Sequence, residues 1–260
     1  MGTFLFNEIV FGPVKSRRLG VSLGINLLPL DSKLCNFSCI YCECGFTEKI
    51  LENESQKMPS AEDVHTKLEN TLRAYKSSHK KIDTITFAGN GEPTLNPSFA
   101  EIVEDTVKLR NELMPETKIA VLSNASLIFR KDVKNALLKV DYNILKLDSS
   151  DEETIKKINC PAGNFSLSKL IEGLFDFKEN LTIQTLFIKG NFNGFYFDNT
   201  SESEIEGWLL ILKKVLPKLV MVYTIDRDTP VHSLEKVSRQ KLDEIAVRVE
   251  QLGIPVTVSG

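Results

Sequence analysis

The chain has 260 residues, 42% hydrophobic and 26% charged, ordinary proportions that set aside disordered and fibrous classes and suit one large α/β domain, so residues 1–260 are read as a single domain. A formal net charge of −3 gives no global excess of lysine and arginine of the kind that grips a nucleic-acid backbone. No apolar run approaches the roughly 20 residues of a membrane helix, and Met1 to Glu8 has neither the basic region nor the apolar length of a secretory signal, so a cytoplasmic protein with no membrane partner is expected.

In chain order, Leu19 to Leu28 mixes apolar and small residues in near alternation up to Pro29 and reads as the first strand. It leads into a stretch holding Cys35, Cys39 and Cys42, after which Glu43 to Pro59 is polar and irregular. Ser60-Ala61-Glu62-Asp63 has the serine cap and first-turn acids of a helix start, and Val64, Leu68, Leu72 and Tyr75 follow at helical spacing. Asp83 to Ala88 is a short β-branched strand that delivers Gly89-Asn90-Gly91-Glu92. Asn96-Pro97 reads as the cap and first turn of the next helix, with Phe99, Ile102, Val103, Thr106 and Leu109 along one side.

The pattern repeats. A strand from Lys118 to Leu122 ends in Ser123-Asn124 and precedes a helix from about Lys131. Another, Asn143 to Leu147, ends in Asp148-Ser149 and precedes helical turns up to Lys157 and a longer helix from Ser166. Leu181 to Ile188 is a strand ending near Lys189, and Gly190 to Thr200 is a long connection mixing aromatics and amides, of the kind that forms lids and reads substrate identity. Ser201-Glu202-Ser203-Glu204 reads as a capping box, Leu219 to Ile225 as a strand ending in Asp226-Arg227, Ser238 to Leu252 as the last helix, and Ile254 to Ser259 as a terminal extended segment.

Strands alternating with helices imply parallel pairing with right-handed crossovers, and six such units are two short of a closed eight-fold barrel. The expected fold class is α/β, a partial (β/α)6 barrel, with an open doubly wound sheet as the rival. Both architectures place ligands at the carboxyl ends of the strands.

Five cysteines, an odd number, with four packed into ten residues, fit a disulfide framework poorly. Three thiols spaced C-x3-C-x2-C on one stretch point to a metal. Structural zinc wants four ligands, usually from two separated pairs; with Cys44 as the fourth, the loop would leave no second arm to tie down. On a four-iron cluster, three thiolates leave one iron without a protein ligand and open to a small molecule. Cys44 and Cys160 fall outside the pattern and read as small buried hydrophobes.

The C-x3-C-x2-C loop with Tyr41 before its last cysteine, taken with Gly89-Asn90-Gly91-Glu92-Pro93, resembles the radical S-adenosylmethionine superfamily. Gly12 to Gly20 and Gly89 to Leu95 are further similar to a group within it named for the wyosine-type tRNA-modifying enzymes, and the similarity runs from about Phe11 to the C-terminus. The resemblance implies a 4Fe-4S cluster on Cys35, Cys39 and Cys42, with S-adenosylmethionine chelated to the open iron. It implies an external electron donor, reductive cleavage to a 5′-deoxyadenosyl radical, and hydrogen abstraction from a substrate that is a small molecule, a peptide or a tRNA. It also implies that the Gly89–Glu92 turn holds the methionyl amino group and that Tyr41 lines the adenine site through its backbone. Lys189, Tyr223, Asp226 and Arg227 would then be substrate or carboxylate contacts.

On residue chemistry alone, glycines permit close backbone approach and a carboxylate such as Glu92 accepts from an ammonium. Ser123, Asn124 and Asp148 suit ribose hydroxyls, and the donors among them a carboxylate; capping and turn formation is the equal alternative. The Tyr41 ring equally suits packing, and salt bridging competes for Lys189, Asp226 and Arg227. His65, His79 and His232 have no partner identifiable in the sequence. A non-catalytic module in which the cysteine loop holds zinc is the reading from a different class.

Overall fold

The computed structural model describes residues 4–47 and 58–260. The irregular reading of Glu43 to Pro59 therefore falls in part, at 48–57, outside the described residues, as do residues 1–3 of the start. The chain divides into two compact units, one with its described residues within Leu5–Cys35 and Thr47–Asn143, the other within Met1–Phe4, Asn36–Phe46 and Ile144–Gly260.

In the first unit, β1 (Val10–Ser16) pairs antiparallel with β2 (Gly20–Ile25), and β3 (Thr84–Phe87) and β4 (Lys118–Ser123) continue the sheet in parallel. The sequence reading lacks β1, whose side chains are all exposed or half-buried; it is held by its ladder and shows no inward alternation. α1 (Ala61–Ser77) begins as read: Ser60 Oγ accepts from Asp63 N at 3.1 Å while the Asp63 carboxylate accepts from Ser60 N at 3.1 Å, which satisfies two donors that a helix start leaves orphaned. Val64, Leu68 and Leu72 form its buried stripe. α2 (Phe99–Leu113) starts later than expected, with Ser98 as its cap. Asn96 is drawn instead into a buried tie, its Nδ2 donating to Leu27 O (2.8 Å) and Pro59 O (3.0 Å), and a 3-10 turn at Pro93–Leu95 precedes it. α3 covers Lys131–Leu137.

The second unit carries the sheet order β5-β6-β9-β11, where β5 is Tyr142–Lys146 (from Ile144 onward in this unit), β6 Leu181–Leu186, β9 Leu219–Tyr223 and β11 Val256–Ser259. β6 pairs with β9, and β9 with β11, in parallel. Every residue of β6 is buried, as a strand covered on both faces requires. Its helices are α4 (Glu152–Asn159), α5 (Leu167–Leu174), α6 (Glu202–Val215) and α7 (Arg239–Glu250). Trp208 of α6 packs edge-on against Phe187, 5.4 Å between ring centroids, and donates to Thr185 Oγ1 at 3.1 Å. Thr185 thus faces the helices, and Gln184 and Leu186 face the opposite side of the sheet.

Gly190 to Thr200 is not an irregular lid: β7 (Ile188–Phe192) and β8 (Phe195–Asp198) form a hairpin, and β10 (Leu234–Lys236) completes a three-stranded antiparallel sheet. Asn193 and Gly194, at φ 50° and 79°, supply the two left-handed residues of a tight hairpin turn. The strand read as continuous to Ile188 is therefore two strands. At α6, Ser201 makes no side-chain cap bond. Glu204 accepts instead from Ser149 Oγ at 2.6 Å, a tertiary partner that wins over the local box. Among the described residues no helix is long and apolar enough to cross a membrane.

Candidate functional site

In the first unit the cysteine stretch is tied to the turn after β3 before its first thiol is reached. Leu34 N donates to Asn90 O (2.8 Å) and Glu92 N donates to Leu34 O (3.1 Å), a one-residue parallel bridge between Leu34 and Gly91. Glycine is needed for that approach: at Gly91, with φ +137°, a Cβ would lie 1.9 Å from Leu34 O. At Gly89 a Cβ would meet Asn26 Oδ1 at 2.3 Å. Asn90, fully buried, donates from Nδ2 to Phe6 O (2.9 Å) and Pro29 O (2.8 Å) and accepts from Phe6 N (2.8 Å). The turn is a hub of main-chain ties.

Glu92, only 2% exposed, accepts at Oε1 from Thr94 N (3.2 Å), Thr94 Oγ1 (2.6 Å) and Ser123 Oγ (2.8 Å), and at Oε2 from Asn124 N (2.7 Å). Burial raises its pKa above the ordinary glutamate value, against the lowering effect of those hydrogen bonds. The predicted Ser123 and Asn124 are thus assembled around the predicted Glu92, and Asn124 Nδ2 also reaches Cys35 Sγ at 3.7 Å.

In the second unit, Asp148 follows β5 and gathers four protein donors. Leu186 N (2.9 Å) serves Oδ1; Asn159 Nδ2 (2.7 Å), the Tyr41 hydroxyl and the Lys146 ammonium (3.5 Å) serve Oδ2. Lys146 Nζ also donates to Tyr223 Oη at 3.3 Å and lies over the Tyr41 ring, 5.1 Å from its centroid. Burial works against the Lys146 charge, but the Asp148 carboxylate, and then Tyr223, more than offset it and hold its pKa above the usual lysine value. Burial, then Asp148, pushes the Tyr41 phenol well above its usual value. Cys39 lies against the same group, with Asn159 Nδ2 donating to its Sγ at 3.4 Å; burial, opposed by Lys146, pushes its thiol up to about 11.

Within the second unit, the segment leaving α4 clamps the cysteine loop. Ser38 N donates to Asn159 O and Cys160 O (both 3.1 Å), Ile40 N to Ile158 O (3.0 Å) and Ala162 N to Asn36 O (2.8 Å). Cys160 sits in the left-handed region at φ 42°, its Sγ donating to Lys157 O at 3.3 Å.

The structure thus gathers Tyr41, Asp148 and Tyr223 with Cys39 in one group, and Glu92, Ser123 and Asn124 with Cys35 in the other. Lys189 pairs with Glu235 (3.2 Å), Arg227 with Glu43 (2.6 Å) and Asp226 with Lys236 (3.1 Å), all well exposed. His65 has a partner after all, Asp105 at 2.8 Å on the outer face of α1 and α2. Sequence reasoning missed Lys146, Asn159 and Gln184. Lys146 carried a signal, since it ends β5 two residues before Asp148, a spacing that in extended chain sets both side chains on one face. Leu147 N donates to Gln184 O (3.1 Å), which in a parallel ladder sets Gln184 beside Lys146; Gln184 Nε2 is buried without a hydrogen-bond partner.

A model of the radical SAM superfamily matches residues 31–206, a span that holds the three cysteines, the Glu92 turn and Lys146. The chain belongs to the radical SAM superfamily. It is 42% identical over 173 residues to a UPF0026 protein of Methanocaldococcus jannaschii, covering 66% of this chain and 50% of that one. To a UPF0026 protein of Helicobacter pylori it is 32% identical over 248 residues, 94% of this chain and 74% of that one. The chain thus spans about half the length of the first relative and about three quarters of the second. Among solved structures, a radical SAM methyltransferase from Sphaerobacter thermophilus superposes with a TM-score of 0.66 at 16% identity, over 92% of this chain and 65% of that one. TYW1 with a lysine-pyruvate adduct bound gives 0.61 at 14%, over 88% and 73%. The α/β partial-barrel fold read from the sequence is the fold of these radical SAM structures.

The superfamily implies an iron-sulfur cluster and S-adenosylmethionine, and the donors present fit both. Cys35, Cys39 and Cys42 supply the thiols, none of them in a disulfide, and Gln184 Nε2, buried without a hydrogen-bond partner beside the Lys146 ammonium, is part of a donor set with capacity for a carboxylate or hydroxyl. Among the described residues no three His, Cys, Asp or Glu side chains already stand as a metal-holding group, so the fit is one of donor chemistry.

Proposed function

We propose that this protein is a cytoplasmic radical SAM enzyme in which Cys35, Cys39 and Cys42 hold a 4Fe-4S cluster, with S-adenosylmethionine at its open iron. When bound, that pair supplies reductive cleavage of the sulfonium, driven by an external electron donor, to a 5′-deoxyadenosyl radical that takes hydrogen from the substrate. The observation that carries the reading is the bridge between Leu34 and Gly91, because it seats the first cysteine directly against the glycine turn that the family uses. In this reading, Gly89, Asn90, Gly91 and Glu92 set the backbone at the methionyl end. Ser123 and Asn124 fix Glu92 in place, and Lys146 and Gln184 donate to the cofactor's carboxylate or hydroxyls. Tyr41 and Asp148 hold Lys146 charged and oriented. What the chain contributes is placement and exclusion of water; the hard chemistry belongs to the cofactor.

Anaerobic reconstitution with iron and sulfide tests this. The expected result is a brown protein with broad visible absorbance that releases 5′-deoxyadenosine on reduction, and single Cys35→Ala, Cys39→Ala and Cys42→Ala variants that lose both. A colourless protein with one tightly bound zinc would favour the non-catalytic module instead. The substrate is a small molecule, a peptide or a tRNA. The similarity of Gly12 to Gly20 and Gly89 to Leu95 to the wyosine-type tRNA-modifying group supports tRNA, the net charge of −3 opposes it, and binding of RNA that weakens steeply with salt would decide for it.

A further inference from the structure

We propose that Asn159 is a positioning residue for the Cys39 sulfur and, through an N–H···S bond, sets the electron affinity of the centre that sulfur ligates; this rests on the cluster reading of Cys35, Cys39 and Cys42. Three atoms surround Asn159 Nδ2: the Tyr41 hydroxyl oxygen at 2.7 Å, Asp148 Oδ2 at 2.7 Å and Cys39 Sγ at 3.4 Å. All three accept. The Tyr41 hydroxyl has spent its hydrogen on Asp148, the carboxylate has none, and a ligating sulfur is a thiolate. This settles which way the amide faces, because an amide oxygen at the same point would meet a carboxylate oxygen at hydrogen-bond distance. Two amide hydrogens therefore serve three acceptors, and the Tyr41–Asp148 pair acts as the anchor that keeps the amide turned to the sulfur.

The backbone reinforces the placement. Ser38 N and Ile40 N, on either side of Cys39, donate to Asn159 O and Ile158 O, so the residue that offers the amide also fixes the strand of loop bearing the thiol. Asn159 is 1% exposed and Cys39 8%, which removes water as a competing donor. Cys35, by contrast, has its amide neighbour at 3.7 Å. A hydrogen bond to a ligating sulfur withdraws electron density from it and favours the reduced state of the centre, one of the levers by which a protein sets the potential of an iron-sulfur site.

The full chain, reconstituted anaerobically as wild type, Asn159→Leu, Asn159→Ser and Asn159→Asp, tests the proposal through iron content and redox titration followed by electron paramagnetic resonance. The Leu variant removes the donor and the Ser variant replaces the amide by a single, shorter hydroxyl; both should retain iron, with the Leu midpoint displaced to more negative potential by about a tenfold change in the reduced-to-oxidised ratio, about 59 mV for one electron, and the Ser midpoint displaced less. Asp adds a negative charge at the same place and should move further in the same direction. A midpoint unchanged in the Leu variant at full iron content would overturn the proposal and leave the cluster reading standing. Loss of iron in all three variants would also overturn it, since the amide would then be needed for retention and not for tuning. Wild-type protein that binds no iron overturns the cluster reading and this inference together.

Discussion

Glu92 after β3 and Asp148 after β5 are both buried strand-end carboxylates, 2% exposed each, yet their surroundings differ in kind. Glu92 is held by neutral dipoles: two backbone amides, a threonine and a serine hydroxyl. Asp148 has an ammonium, a phenol and a side-chain amide, and one backbone N–H. The first arrangement is a geometric tie that joins the ends of β3 and β4 and the entry to the cysteine stretch. The second keeps a cation charged inside the protein, and a charge kept in that way is available to a ligand as well as to its partner. A buried carboxylate is thus no sign of one function; what matters is whether its donors carry charge.

The comparison is broken or sharpened first by alanine at each carboxylate. Asp148→Ala strands the Lys146 ammonium without its counter-ion and is expected to cost about 3–5 kcal/mol, read by chemical denaturation. Glu92→Ala leaves hydroxyl and amide donors unpaired and should cost less, about 1–3 kcal/mol; the reverse order would refute the distinction. The third test is pH. The folded Glu92 carboxyl has a raised pKa, so it binds its proton more tightly folded than unfolded. Its contribution is full below the ordinary value of 4.5 and is lost as pH rises through the folded value. Relative to Glu92→Gln, wild-type stability should therefore decline as pH rises above 4.5, with a slope of at most about 1.4 kcal/mol per pH unit. A flat difference would contradict the burial argument. The smallest effect is expected at the exposed pairs: Lys189→Ala and Arg227→Ala should leave the unfolding midpoint within error. If either also weakens S-adenosylmethionine binding in calorimetry, it belongs to the site despite its surface partner.

Much of this is legible in the sequence. The strand and helix repeat shows in apolar periodicity, the cysteine spacing is local, and Ser60 with Asp63 forms the cap its sequence promises. Ser123 and Asn124 were legible as strand-end polar residues, though not as the donors of Glu92. What escaped depends on distant partners. Asn159 lies 120 positions from Cys39 and 118 from Tyr41, and nothing local distinguishes it from a helix-end asparagine. Ser201 looked like a capping-box residue because only the fold brings Ser149 to Glu204. The hairpin at β7 and β8, by contrast, has a local signal in Asn193-Gly194, whose two left-handed residues favour a tight turn over the lid that the length of the connection suggests. Lys146 was hidden by the apolar strand around it, where a lysine reads as an edge until its counter-ion two residues on is counted.

The clamp between the cysteine loop and the end of α4 makes two amides into reporters. Ser38 and Ile40 donate to carbonyls of Ile158, Asn159 and Cys160, so their exchange with deuterated solvent is gated by fraying of a helix far downstream. Deuterium uptake at those two positions would follow the order of the thiol-bearing loop before any iron is added, and would show whether loading the centre stiffens α4 along with it.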